Sequence, residues 1–164
     1  MLGVILLSRF FTYNISDSMP KGFYFLSPKV ENIKKEDIVV IPIDRLDKEI
    51  QNMMYDRGYL PRFTKYLIKE VKGTYNDDVY LKADELHISG ERFKVQTHDT
   101  LKRPLPVLNN DDFTLKEDEF LTLGVKKNSF DSRYFGKIKK DQIKYMAKKV
   151  NNKYFKIKAN KDSH

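Results

Sequence analysis

The chain has 164 residues, 40% of them hydrophobic and 33% charged, which suits one folded domain with a core and argues against disorder. It has no cysteine, so disulfides, thiolate metal sites and a cysteine nucleophile are excluded. Of its 31 basic and 23 acidic side chains, ten lysines and two aspartates fall in residues 137–164, leaving 21 of each sign in residues 1–136. The net charge of +8 therefore belongs to the C-terminal end. Such a tail suits phosphate, RNA or anionic lipid headgroups, or is a solvated terminus.

In chain order, Met1–Leu7 reads MLGVILL, and Phe10 and Phe11 follow Arg9. A membrane-spanning helix needs about 20 apolar residues, so this run is too short to span. It lacks the basic start and small-residue cleavage site of a signal peptide. It fits the end of a longer anchor, a short interfacial anchor or a first strand of a core. We read residues 1–12 as a membrane-proximal segment, 13–150 as a single domain and 151–164 as a basic tail.

Asn14–Pro28 is irregular chain leading into a short strand at Phe23–Leu26. The β-branched run from Asp37 to Pro42 predicts a buried strand. Leu46, Ile50, Met53 and Met54 lie at helical spacing, which predicts a helix over 43–55 stopped by Gly58. Strands are expected at Tyr66–Val71, Val79–Lys82, His87–Ile88, Arg92–Val95 and Phe120–Val125, with a polar turn at Gly73–Asp78. In Gln142–Val150 the apolar residues Ile143, Met146, Ala147 and Val150 fit one helical face, but the run is short enough for a strand. The frequent short strands predict a mostly β sandwich or barrel with a short inserted helix.

The histidines His87, His98 and His164 form no metal-ligand spacing and read as surface or satisfied residues. A Ser-His-Asp triad finds weak support, in His98-Asp99 alone. No phosphate-binding glycine loop is present, and no metal or cofactor is expected. The unusual feature is Lys69. Alternation in Tyr66–Val71 puts Leu67, Lys69 and Val71 on one face, with Ile68 and Glu70 on the other. A lysine buried among aliphatic side chains loses affinity for its proton and can serve as a general base. On spacing alone, an edge-strand lysine snorkelling to water is the stronger reading. A serine nucleophile for such a base stands in Ser16-Asp-Ser-Met-Pro20, where proline stiffens the backbone after Ser18. The same segment also fits a capped turn.

Taken together, these segments resemble the type I signal peptidases, most closely the conjugative-transfer, TraF-type branch. The likeness runs in blocks from about Asn14 to Val150. Ser16–Tyr24 (SDSMPKGFY) resembles the nucleophile box, Asp37–Val40 the strand after it, and Arg57–Leu60 (RGYL) a segment of the conjugative branch. Leu67–Gly73 (LIKEVKG) resembles the base box and Asp131–Gly136 (DSRYFG) the last box. The resemblance implies a signal-peptidase-like β fold, Ser18 as nucleophile and Lys69 as general base. It also implies an oxyanion hole from the Ser16 hydroxyl and the Ser18 backbone N–H, Ser129 as hydrogen-bond partner of Lys69, and an Asp131–Arg133 ion pair near the site. Ile143 and Ala147 match a closing segment that is extended in the family, which favours the strand.

The sequence departs from the family's pattern in the turn Gly73-Thr-Tyr-Asn-Asp77, where Asn76 is expected to take positive φ. It departs again at Gly124-Val125, where the family has glycine-aspartate, and at Glu70, where it usually has arginine. The implied activity is that of a membrane-associated serine endopeptidase. It would act on the extracytoplasmic (periplasmic) side of the inner membrane, cleaving exported precursors, a pilin-like conjugation substrate among them. The precursor polypeptide is the expected partner, with anionic lipid met by the tail and no nucleic acid. The alternatives are a non-catalytic membrane or nucleic-acid binder using the tail, and a self-cleaving Ser/Lys repressor-type protease.

Overall fold

A computed structural model of the protein describes residues 5–8, 10–14 and 16–150. The basic tail 151–164, with His164, and the first four residues of the apolar run lie outside the described residues. Ile5–Ser8 (β1) pairs antiparallel with Phe11–Asn14 (β2), so this part of the run is a strand. β2 pairs in turn with Gly22–Ser27 (β3).

The β-branched run expected after it forms Ile38–Pro42 (β4), which pairs with Tyr66–Gly73 (β5). Between them lies the chain expected as one helix over 43–55. It is split into a 3-10 turn at Ile43–Arg45 and a helix at Lys48–Asp56 (α1). Asp47 causes the break. Its carboxylate caps α1 by accepting from the Glu49 N–H, and a cap needs non-helical backbone, so Leu46 is extended and reaches the core by another route.

Val79–Lys82 (β6), Glu85–Ile88 (β7) and Glu91–Lys94 (β8) form a separate three-stranded antiparallel sheet. Ser89 and Gly90 both take positive φ at its second hairpin, as a tight turn between twisted strands requires. The turn after β5 closes differently from expectation. Asn76 does not have positive φ; instead the Asp77 carboxylate accepts from the Thr74 N–H and hydroxyl.

One-turn helices at Asn110–Phe113 (α2) and Ser132–Phe135 (α3) flank Glu119–Leu123 (β9), and Ile138–Lys139 (β10) pairs with β9. The last described segment, ambiguous in sequence, is the strand Tyr145–Lys149 (β11), inserted between β3 and β4. The main sheet thus runs β1-β2-β3-β11-β4-β5-β9-β10. The mostly β architecture expected from the sequence is the one observed.

The pleat divides the core. Val39, Ile41, Leu67 and Val71 pack with Met54 and Ile143 in one cluster, while Val40 and Ile68 pack with Met19 and Leu26 in another. Leu121 and Leu123 of β9 meet Leu86 and Ile88 of the small sheet in a third. The alternation read in Tyr66–Val71 therefore holds, and Lys69 points the way of Leu67 and Val71, from the middle of the sheet.

Candidate active site

The turn between β2 and β3 carries Ser16 and Ser18. Asn14 and Gly22 face each other across its base, and Met19 is buried in the core, tethering the turn from beneath. The Ser16 hydroxyl donates to Asn14 Oδ1 at 2.7 Å and lies 3.1 Å from Ser18 Oγ. A serine hydroxyl carries one hydrogen, so with Ser16 committed to Asn14, Ser18 is the donor in the second contact. From the other side, the Val125 N–H donates to the Ser18 carbonyl at 2.7 Å.

Lys69 is only 2% exposed, which excludes the snorkelling reading. β5 lies between β4 and β9, with Lys69 opposite Val39, so no edge is open to it. Its Nζ donates to Ser129 Oγ at 2.6 Å. Burial pushes the ammonium down from the usual 10.5 to about 8; the Asp131 carboxylate works against this and the Arg133 guanidinium with it. Asp131 and Arg133 form a buried two-pronged pair, with Arg133 Nε and Nη2 each 2.8 Å from a different Asp131 oxygen. Their opposed fields at Lys69 oppose each other, so desolvation decides the direction.

The same pair builds the frame around Ser129. Arg133 also donates to the carbonyls of Lys94, Lys126, Lys127 and Ser129, drawing the 126–129 turn onto the sheet. Asp131 Oδ2 accepts from the Gly124 N–H at 2.9 Å. A Cβ at position 124 would lie 2.1 Å from Ser129 Oγ and 2.8 Å from the Ser18 carbonyl oxygen. Glycine is needed there for close approach, and through it the turn carrying Ser18 and the lysine's partner Ser129 converge. The family departure at Gly124-Val125 thus keeps the glycine, and its second residue supplies a backbone donor.

Ser16, Ser18, Lys69 and Ser129 line one open cleft of about 350 Å³ together with the apolar side chains of Met54, Leu60 and Leu105. Asp99, which also lines the cleft, accepts from Tyr59 Oη and Arg103 Nε, both at 2.7 Å. Arg57 donates to the Pro104 carbonyl and Arg103 to the Arg57 carbonyl, tying the loop after α1 to the 99–104 loop. With Asp99 so engaged and His98 Nδ1 beside the Thr97 hydroxyl, the pair His98-Asp99 forms no triad. His87 stacks on Tyr80 in the small sheet. Among the described residues no acidic or histidine cluster could hold a metal ion.

Sequence reasoning missed Asn14 and the Asp99 clasp. Asn14 had a local signal, an asparagine two residues before Ser16 at the mouth of a turn. The Tyr59–Asp99 contact joins residues 40 positions apart and had none.

The chain matches the family described as signal peptidase, peptidase S26, over residues 2–150. It is similar to two proteins from Escherichia coli, each described as plasmid transfer protein TraF. One is 28% identical over 144 residues, covering 84% of this chain and 80% of the relative. The other is 31% identical over 139 residues, covering 79% and 76%. Among solved structures, a signal peptidase I from Enterococcus faecalis aligns with 72% of this chain and 98% of its own, at 20% identity and a TM-score of 0.37. With the family spanning nearly all of the described chain, and plasmid-transfer relatives covering most of it, this protein belongs to the signal peptidase family, peptidase S26, in its TraF-type branch.

Proposed function

We propose that the protein is a serine endopeptidase of the signal-peptidase type, with Ser18 as nucleophile and Lys69 as general base. The observation that carries this reading is the solvent-excluded amine of Lys69, pushed toward neutrality and opening on the cleft that Ser18 also lines. Ser18 Oγ attacks the scissile carbonyl as its proton passes to neutral Lys69. The Ser18 backbone N–H and the Ser16 hydroxyl, turned from Asn14, stabilise the oxyanion. Lys69 then gives the proton to the departing amine. Water, or an amine of the substrate, attacks the acyl-enzyme as Lys69 takes its proton, and Lys69 passes that proton to Ser18 Oγ as the acyl–oxygen bond breaks. Ser129 orients the amine, and Asp131 with Arg133 holds Ser129 in place.

A polypeptide suits an open cleft lined by both apolar side chains and polar groups. We assign the substrate to exported precursor proteins, a pilin-like conjugation substrate among them, cleaved on the extracytoplasmic side of the inner membrane. Among the described residues no helix is long and apolar enough to cross a membrane. The exposed rings of Phe23 and Phe25 on β3, in edge contact with Tyr13 and Phe11 of β2, support a membrane-proximal placement of that hairpin. The test is to incubate the protein in detergent with pilin-like precursors and weigh the products. Wild type should yield one new pair of termini, or a product lighter by the excised segment. Ser18→Ala and Lys69→Arg should yield neither, since arginine stays charged at neutral pH. Cleavage at the wild-type rate by either variant contradicts the assignment.

A further inference from the structure

We propose that Asn14 is a positioning residue for the nucleophile: its carboxamide sets the shape of the 16–20 turn that places Ser18 Oγ and, in the free enzyme, the direction of the Ser18 hydroxyl. The inference rests on the reading of Ser18 above. Asn14 ends β2 and is fully buried, yet its whole hydrogen-bonding capacity is turned onto the seven-residue connection to β3. Oδ1 accepts from the Ser16 N–H at 3.1 Å and from the Ser16 hydroxyl at 2.7 Å. Nδ2 donates to the carbonyls of Ser16 at 3.2 Å, Met19 at 3.0 Å and Pro20 at 3.4 Å. One side chain thus grips the backbone on both sides of Ser18. The Pro20 carbonyl is held a second time, at 2.7 Å, by the hydroxyl of buried Tyr24, so the far end of the turn is anchored to β3 as well.

A turn could be closed by the backbone contacts alone. The Ser16 hydroxyl contact does something further. A carboxamide oxygen only accepts, so Oδ1 fixes the direction of the Ser16 proton. Ser16 Oγ is then left to receive the Ser18 proton across 3.1 Å. The chain Ser18–Ser16–Asn14 therefore has one sense in the free enzyme; it is given up when the Ser18 proton passes to Lys69 and Ser16 turns to the oxyanion, and what Asn14 keeps through the reaction is the backbone of the turn that places Ser18 Oγ. Aspartate, the isostere, would keep the accepting end but set a carboxylate oxygen against three carbonyls, so the turn requires the amide and not merely its shape.

The test measures kcat, KM and their pH dependence on a precursor peptide for the full chain and for Asn14→Ala and Asn14→Asp, with Ser18→Ala alongside, below the unfolding temperature of each. Misplacing a reacting group by about 1 Å costs on the order of 10²-fold in rate, and that loss is expected in kcat for both variants. KM should stay within about threefold, and in Asn14→Ala, which adds no charge, the acid limb should stay where wild type has it. Wild-type kcat in a folded variant, a loss confined to KM, or an acid limb displaced in Asn14→Ala overturns the inference. Should neither variant fold, the side-chain amide signals of Asn14 in wild type and in Ser18→Ala decide. A shift on removing the Ser18 hydroxyl supports the coupled chain, and identical signals overturn it. Full cleavage by Ser18→Ala would instead overturn the functional reading, whereas a dead Ser18→Ala beside a fully active Asn14→Ala removes only the role of Asn14.

Discussion

Replacing Lys69 with methionine should abolish activity and yet stabilise the protein at neutral pH. The amine falls from 10.5 to about 8 on folding. At ~1.4 kcal/mol per tenfold change in proton affinity, burying it charged costs about 3 kcal/mol. Methionine fills a similar volume without that cost. It leaves Ser129 Oγ without its donor, which returns about 1 kcal/mol. A net gain of about 2 kcal/mol is expected at pH 7. The sign with pH is fixed by linkage. Between about 8 and 10.5 the unfolded chain binds more protons at this site than the folded one, so wild type gains stability as pH rises through that window. Methionine has no such dependence. Urea unfolding of both proteins from pH 6 to 10 should show a constant advantage for Lys69→Met below about pH 8, closing as pH approaches 10. A difference that ignores pH, or a variant less stable at every pH, would refute the charged-burial argument.

The buried pair behind the site makes a separate prediction. Asp131→Asn removes the group that raises the Lys69 pKa and leaves Arg133, which lowers it, unopposed, so the acid limb of activity should move below about 8. The broken pair should also cost about 3–5 kcal/mol in urea. Gly124→Ala forces a methyl into the space shared by Ser129 Oγ and the Ser18 carbonyl. We expect activity near background and about 1–3 kcal/mol lost in unfolding, as for other overpacked sites; wild-type activity would show that the convergence there is unimportant. Asp99→Asn loosens Tyr59 and Arg103 at the cleft wall, so a raised KM with an unmoved pH limb is expected from steady-state kinetics.

What the sequence revealed followed from local chemistry. The strand at Tyr66–Gly73 and the faces of Leu67, Lys69 and Val71 follow from a period of two. The small sheet followed from its turns. Burial of Lys69 did not, because an isolated strand does not say whether it lies at an edge or between two neighbours; only the pairing of β5 with β4 and β9 decides that. β11 was ambiguous for the same reason, its apolar spacing serving either a helix or a strand slotted between β3 and β4. The helix expected over 43–55 failed at Asp47, where a capping carboxylate outweighed the spacing of Leu46. Family resemblance picked out Ser129, Asp131 and Arg133, which no spacing argument reached; the structure gathers them around Lys69 through Gly124.

The central claim is that an uncharged Lys69 draws the proton from Ser18. The pH dependence of kcat/KM on a precursor peptide tests it most directly, because it reports the essential base of the free enzyme. The account predicts activity rising with pH to a plateau, with its midpoint at about 8. A midpoint near 6, where an imidazole would titrate, or a profile flat from pH 6 to 10, would contradict it.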